Sequence, residues 1–219
     1  MFYTEKSLEQ ALKKGDFILS AEDRLTPAAR DLLRSRGIQP KDGKTPEHMT
    51  HLGAGELVPK THPRIAFRGK LDSLQGLILL LMKEPGAPLK VLEEMLNFCR
   101  SLMRCDVLGE PVSEMCLHGM TEGELRHRSH NPEKYYGTHH ILPHGGDSTV
   151  LLRLNYLRTQ IRETELKSYQ AFPKRTDIHR ALNRLSSLCW ILCLEEREKT
   201  GKGGPQWTGL QKKSSTDCL

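Results

Sequence analysis

At 219 residues, with aromatics at 5% and charged side chains at 27%, the chain suits one helical domain with appendages or two small domains, and it disfavours a β sandwich. The net charge of +6 is modest, and half of it lies beyond Glu196, where Arg197, Lys199, Lys202, Lys212 and Lys213 face only Glu198 and Asp217. The body is mildly basic, so nucleic acid is not an expected partner. The longest apolar run, residues 77–82, is far too short to span a bilayer. Met1-Phe2-Tyr3 runs straight into a polar segment, so no secretory signal is expected either.

Taken in order, Ser7 with Gln10 resembles a capping box, and Gly15 is placed to end a first short helix. Residues 16–20 (DFILS) read as a short strand. Thr26-Pro27 is a hydroxyl cap followed by proline at the first helical position, with Gly37 as terminator, and Ile38 is placed to open a second strand. Residues 1–40 thus form a small α/β appendage. Residues 41–62 read as a linker without periodicity, and its stretch Thr50-His51-Leu52-Gly53-Ala54-Gly55 can offer backbone N–H groups to phosphates.

From Pro63 the pattern turns helical through Met82, and Pro85 and Pro88 break it. Residues 89–107 form a second long helix with Leu92, Met95, Leu96, Cys99 and Met103 on its core face. Thr121 with Glu124 is a second capping box, opening a short helix to His130. Residues 131–147 read as a loop, and residues 149–172 as a long helix. Thr176 or Asp177 is placed to cap a last helix through Glu196, buried along Leu182, Leu185, Leu188 and Leu192. The expected fold is mainly α: a helical bundle over residues 63–198, with residues 199–219 a disordered basic tail.

Six cysteines (Cys99, Cys105, Cys116, Cys189, Cys193 and Cys218) form no CxxC pair. They read as reduced thiols, and Cys189 with Cys193, one helical turn apart, as small apolar core residues. Six histidines fall between Cys116 and His144, but no third ligand stands at a metal-binding interval from His127 and His130.

The helix at 149–172 carries the chemistry. Leu154, Leu157 and Ile161 make one apolar stripe, and Arg158, Arg162 and Glu165 recur at i, i+4 and i+7 beside it. Guanidinium forks match phosphate oxygens, so a nucleotide polyphosphate is one natural ligand. The bland account is a solvated face with an Arg162–Glu165 helix pair. No GxxxxGK[ST] or GxGxxG is present.

The stretches VPKTHPRIAFRGKLDSL, ILPHGGDSTVLLRLNYLRTQIRETE and ALNRLSS resemble, in this order, the ATP:corrinoid adenosyltransferases. RCDVLGEP, LTPAARDLLRSRGI and the THL before Gly53 resemble the ethanolamine-utilisation branch more closely than the propanediol-utilisation branch. The resemblance covers roughly residues 20–196. It implies a ferritin-like, adenosyltransferase-type bundle that transfers the 5′-deoxyadenosyl group of ATP to cob(I)alamin and releases triphosphate. By the same resemblance Arg158 and Arg162 hold the triphosphate, Glu165 stands near the ribose or magnesium, and Asn183 contacts ATP. Asp72 is implied to pair with Arg158, and Lys60, Thr50 and His51 to lie near the phosphates. The implied cofactors are ATP with Mg2+ and, as substrate, cobalamin. The implied partners are a homo-oligomer (dimer or trimer), a flavin-dependent reductase and a bacterial microcompartment within the cytoplasm.

Three departures stand out. His140 occupies the place where propanediol-type enzymes set a phenylalanine under the corrin, with Tyr135 and Tyr136 nearby. The glycine-rich phosphate loop of that branch is missing. Residues 41–50 hold no cysteine, whereas many ethanolamine-type members carry a cysteine cluster there, so no transition metal is expected. The competing class is a non-catalytic helical module that binds an acidic partner through its arginines and basic tail, or a corrinoid carrier.

Overall fold

A computed structural model describes residues 2–13, 18–19, 23–36, 41–42, 46–53 and 56–201. The expectations placed on Gly15, Gly37, Ile38 and the tail from Lys202 lie outside these residues. The chain divides into two units: residues 1–51 with 55–60, and residues 52–54 with 61–219.

The first unit is small. Strand β1 (Phe2–Tyr3) precedes helix α1 (Glu5–Lys13), then β2 (Ile18–Leu19), β3 (Arg24–Leu25), α2 (Pro27–Ser35) and β4 (Lys41–Asp42). β1 pairs with β3 and β2 with β4, both in parallel. Leu8, Ala29 and Leu33 form its buried core, with Tyr3, Leu12, Leu25 and Leu32 packed on them. Thr26 caps α2 as expected, its side chain accepting from Ala29 N at 3.3 Å, with Pro27 behind it. At α1 the cap is Thr4 and not Ser7: Ser7 N donates to Thr4 Oγ1 while Thr4 N donates to Ser7 Oγ. The hydroxyl at position 7 thus plays the reciprocating part that a capping box gives to glutamate or glutamine. The segment expected to be irregular instead holds β5 (Met49–Gly53) paired with β6 (Glu56–Pro59). Backbone pairing across a short connection needs no side-chain alternation when little of either strand is buried, and of β6 only Val58 is.

The second unit is the helical bundle. It comprises α3 (Pro63–Leu81), α4 (Leu89–Leu108), the hairpin β7 (Cys116–Leu117) and β8 (Met120–Thr121), α5 (Glu122–His130), α6 (Pro132–Tyr136), α7 (Thr149–Ala171) and α8 (Thr176–Thr200). α7 packs against both α8 and α3, and α3 against α4. One continuous core joins Phe67, Leu71, Leu74 and Ile78 of α3 to Leu92, Met95 and Leu102 of α4, Leu154, Leu157 and Ile161 of α7, and Leu182, Leu185 and Leu188 of α8. Two ion pairs add to this packing: Lys70 of α3 with Glu163 of α7, and Arg153 of α7 with Glu84 in the turn after α3, each at 2.8 Å. Asp106, fully buried on α4, accepts from both Arg64 and Arg68 of α3.

Predicted bounds hold for α3, α4, α5 and α7 to within a residue or so, and Thr121 and Glu124 form the full reciprocal capping box. α8 runs to Thr200, four residues beyond the expected end at Glu196 and into the stretch expected as tail. Two further expectations differ. A one-turn helix, α6, interrupts the expected loop at 131–147, started by Pro132 and ended by Gly137 in the left-handed region (φ 60°). Neither Thr176 nor Asp177 caps α8, for Arg175 is its N-cap residue and makes no side-chain cap. Asp177 instead accepts from the Arg175 fork and from Val112 N at 3.0 Å. Its carboxyl is held well below the usual range, chiefly by Arg175.

Cys99, Cys189 and Cys193 are fully buried in this core, as read. Burial pushes the Cys99 and Cys193 thiols up to about 12, and the Cys189 thiol well above its ordinary value. The folded state therefore keeps these protons while the unfolded chain loses them. Their contribution is fully present below the unfolded thiol pKa and declines as pH rises toward 12, by about 1–2 kcal/mol per thiol at pH ~10. Urea midpoints at pH ~7.5 and ~10 test this. Midpoints should fall at the higher pH, and by less in a chain carrying alanine at all three positions; an equal fall in both chains contradicts it.

Candidate functional site

α7 and α8 leave one open cavity of about 580 Å3 on their polar side. Arg158 and Arg162 of α7 line it, with Asn183, Ser186, Ser187 and Trp190 of α8. Ser129 and His130 at the end of α5 and residues 140–143 of the loop before α7 close it. The local cause is the helical repeat. Leu154, Leu157 and Ile161 point into the core, so residues one position on from them, Arg158 and Arg162, fall at the edge of that stripe. On α8, Asn183, Ser187 and Trp190 do the same beside Leu182, Leu185 and Leu188.

Each cavity side chain is held differently. The Arg158 guanidinium donates from Nε and Nη2 to Asn155 Oδ1 at 3.2 and 3.1 Å. Its Cζ stands 5.7 Å from the centre of the Trp190 ring, within cation–π range. His140 stacks on that ring at 5.4 Å with a 29° tilt. Trp190 Nε1 is buried and has no hydrogen-bond partner. Asn183 Nδ2 donates to Glu165 Oε1 at 3.1 Å, which ties α8 to α7. Asn183 Oδ1 accepts from Arg184 Nη2. Arg162 is exposed and has no hydrogen-bond or ion-pair partner among the described residues. The helix pair Arg162–Glu165 weighed from spacing is thus not formed, because Glu165 is bonded to Asn183.

The loop wall is anchored from below. Asp147, whose side chain is 1% exposed, accepts from Arg197 Nη2 of α8 at 2.8 Å and from His144 N at 2.8 Å. The same Arg197 nitrogen reaches Leu142 O at 3.5 Å. Ser148 caps α7 by accepting from Leu151 N, and its own hydroxyl donates to Glu196 Oε1 at 2.7 Å. The segment bearing His140 is therefore fixed to the last turns of α8.

Of the residues singled out from the sequence, Arg158, Arg162, Asn183 and His140 line this cavity, and Glu165 is bonded to its rim. Asp72 does not join them within one chain. It is exposed on α3, where Gln75 Nε2 approaches its Oδ1 at 3.4 Å, and Arg158 has Asn155 in place of a carboxylate. Thr50, His51 and Lys60 belong to the first unit; Lys60 Nζ pairs there with Glu47 at 3.2 Å. Trp190, Ser186 and Ser187 were not anticipated. A tryptophan on a leucine-rich helix reads as core, and only its place two turns after Asn183 hinted at the cavity. Among the described residues no three His, Cys, Asp or Glu side chains gather as a metal site, and no helix is long and apolar enough to cross a membrane.

The fold and site define a mainly helical bundle with two arginines, an asparagine and an aromatic wall around one cavity, and comparison with known proteins gives that class its name. Residues 41–196 match the family model for cobalamin adenosyltransferase. The chain belongs to that family and is a corrinoid adenosyltransferase. It is 33% identical to the corrinoid adenosyltransferase EutT of Escherichia coli strain K12, over 80% of this chain and 84% of the relative. It is also 33% identical to the corrinoid adenosyltransferase EutT of Salmonella typhimurium, over 88% and 91%.

The anchor under the loop makes a measurable demand. Arg197→Met leaves the buried Asp147 carboxylate with only His144, through its backbone N–H and its ring at 3.6 Å, and should cost about 3 kcal/mol, the low end for breaking a buried pair. Adding Asp147→Asn should recover part of that loss, since the stranded charge is gone. Equilibrium denaturation of the two single variants and the double variant checks this; strict additivity of the two losses contradicts the pairing.

Proposed function

We propose that this chain transfers the 5′-deoxyadenosyl group of ATP to cob(I)alamin, giving adenosylcobalamin and triphosphate, and so supplies a cobalamin-dependent enzyme of ethanolamine breakdown. The observation that carries the reading is the meeting of Arg158, Arg162 and Asn183 on one cavity. Cob(I)alamin attacks C5′ with its cobalt lone pair, and the C5′–O bond breaks with its electrons leaving on the triphosphate. The charge that must be stabilised therefore accumulates on the leaving group. Fixed guanidiniums aimed at that group lower the barrier more than they stabilise bound ATP.

In this reading Arg162, without a partner among the described residues, is the cation most available to phosphate oxygens, and Arg158 is the second. Asn183 and Glu165 hold the nucleoside end or its Mg2+. Lys60, Thr50 and His51 belong near the phosphates. Asp72 reaches Arg158 from a neighbouring copy, since both are accessible and neither has an ionic partner among the described residues. A homo-oligomer is thus part of the site. His140, flat against Trp190, gives the corrin an aromatic wall where a phenylalanine stands in propanediol-type enzymes. The enzyme works in the cytoplasm, with a bacterial microcompartment and a flavin-dependent reductase as its setting.

Formation of adenosylcobalamin from ATP and chemically reduced cobalamin, followed spectrally, is the direct test. Arg158→Ala and Arg162→Ala should each lower kcat/KM by about 100-fold or more with unchanged far-ultraviolet dichroism. Removing residues 202–219 should leave the rate intact. Full activity in both arginine variants sinks the proposal.

The absence of cysteine from residues 41–50 leads to a second expectation: turnover needs no transition metal beyond the magnesium that accompanies ATP. Metal analysis of purified protein checks it. Stoichiometric zinc or iron whose removal abolishes turnover would refute it.

A further inference from the structure

Two arginines of α8 are more than nine-tenths buried, and they are treated in opposite ways. Arg197 lies on the buried carboxylate of Asp147 at 2.8 Å. Arg184 has no carboxylate within ion-pair distance among the described residues; its Nε and Nη1 are buried without partners. Its one bond runs from Nη2 to Oδ1 of the neutral Asn183 amide. Nearby Glu122 is already engaged by Arg180 at 2.7 Å, and Arg126 adds a further positive charge. Burial and the Arg126 charge lower the Arg184 pKa from its ordinary value, against the opposing pull of Glu122 and Glu165. A buried cation with no acid in ion-pair contact is costly to keep, and a purely structural position is better filled by an apolar side chain of similar volume.

The position makes sense through what the cation does to its neighbour. An amide has one acceptor end and one donor end. With Arg184 holding Oδ1, Asn183 presents Nδ2 to Glu165 Oε1, 3.1 Å away on α7. Glu165 lies three residues after Arg162, the spacing at which the two side chains meet on a helix. Engaged by Asn183, Glu165 leaves Arg162 without a partner at the cavity. Were the amide free to turn over, its Oδ1 would face the carboxylate, the two would repel, and Glu165 would swing to Arg162.

We propose that Arg184 is a positioning residue: by fixing the Asn183 amide it diverts Glu165 from Arg162 and keeps Arg162 available to the anionic part of the substrate. This rests on the reading of the cavity as the polyphosphate site and adds to it a residue that touches no substrate. It also accounts for a buried guanidinium that otherwise has no reason to lack an acid.

The test uses full-length protein and two probes: inorganic triphosphate binding by calorimetry, and the ATP dependence of adenosylcobalamin formation. Arg184→Met should weaken triphosphate binding by about 5–20-fold, an energy in the range of one charge-assisted contact, and raise KM for ATP more than it lowers kcat. Arg184→Lys, which retains a donor cation, should recover part of the binding. In a Glu165→Gln background, where no carboxylate competes for Arg162, Arg184→Met should have little further effect. An equal loss in both backgrounds, or wild-type affinity in Arg184→Met with its fold intact by circular dichroism, overturns the proposal. Weak triphosphate binding by the unaltered chain also overturns it. Tight binding by that chain, lost in Arg184→Met but accompanied by no adenosylcobalamin formation, upholds this inference while ending the proposed reaction.

Discussion

The cavity depends on where a single carboxylate goes. Glu165 has two candidate partners: Arg162 on its own helix and Asn183 on the next. The bond is to Asn183, and everything characteristic of the site follows from that choice. α7 and α8 are tied across their polar edge. The amide is oriented, and one guanidinium is left facing a solvent-filled space without a counter-charge. Had the helix pair formed, the same sequence would present an ordinary neutralised surface, of the kind that contributes little to stability or binding.

That choice is made possible by packing. The leucine stripe of α7, Leu154, Leu157 and Ile161, meets Leu182, Leu185 and Leu188 of α8 within one core, which fixes the rotation of each helix. Further along the stripe α7 turns polar but remains satisfied, for the buried Thr164 and Ser168 hydroxyls donate back to Gln160 O and Glu165 O. The backbone carbonyl of Glu165 is thus engaged while its side chain bridges to α8. Elsewhere on α7, Glu163 pairs with Lys70 of α3 and Arg153 with Glu84 in the turn after α3. The arginines that line the cavity are those the α3–α7 contact does not consume.

Much of this was legible in the residues, for identifiable reasons. The long helices carry 3.6-residue periodicity and the breaks at Pro63, Pro85 and Pro88 bound them, while the short ones are marked by caps, as at Thr26-Pro27 and Thr121 with Glu124. The strand pair β5–β6 carries no alternation because little of it is buried, and α6 is too short for periodicity to register. At Thr4, Arg175 and Asp177, local hydrogen bonding decided the cap, and several residues of suitable type stood within reach. At the site, the spacing of Arg158 and Arg162 and the resemblance of Asn183 and His140 to a family pattern picked out side chains that do line one cavity. Trp190 and Arg184 escaped, since an indole and a guanidinium among leucines and serines signal nothing until their neighbours in space are known. The expected Asp72–Arg158 pair is not formed within one chain, because α3 turns Asp72 outward, away from the α7–α8 edge.

The contrast between the two buried arginines of α8 bears on how the site maintains its charge. Toward the end of the helix, Arg197 is matched by Asp147, and the pair fastens the wall that carries His140. Near its beginning, Arg184 has no acid within ion-pair distance among the described residues, and neither has Arg158, beside Trp190, nor the exposed Arg162. Glu165, drawn onto an amide, is the one carboxylate among them. The matched arginine holds a shape and the unmatched ones hold a field. A dianion or polyanion entering this cavity would find fixed positive charge that required no rearrangement to receive it, which is the condition under which electrostatic stabilisation of a departing polyphosphate is most effective.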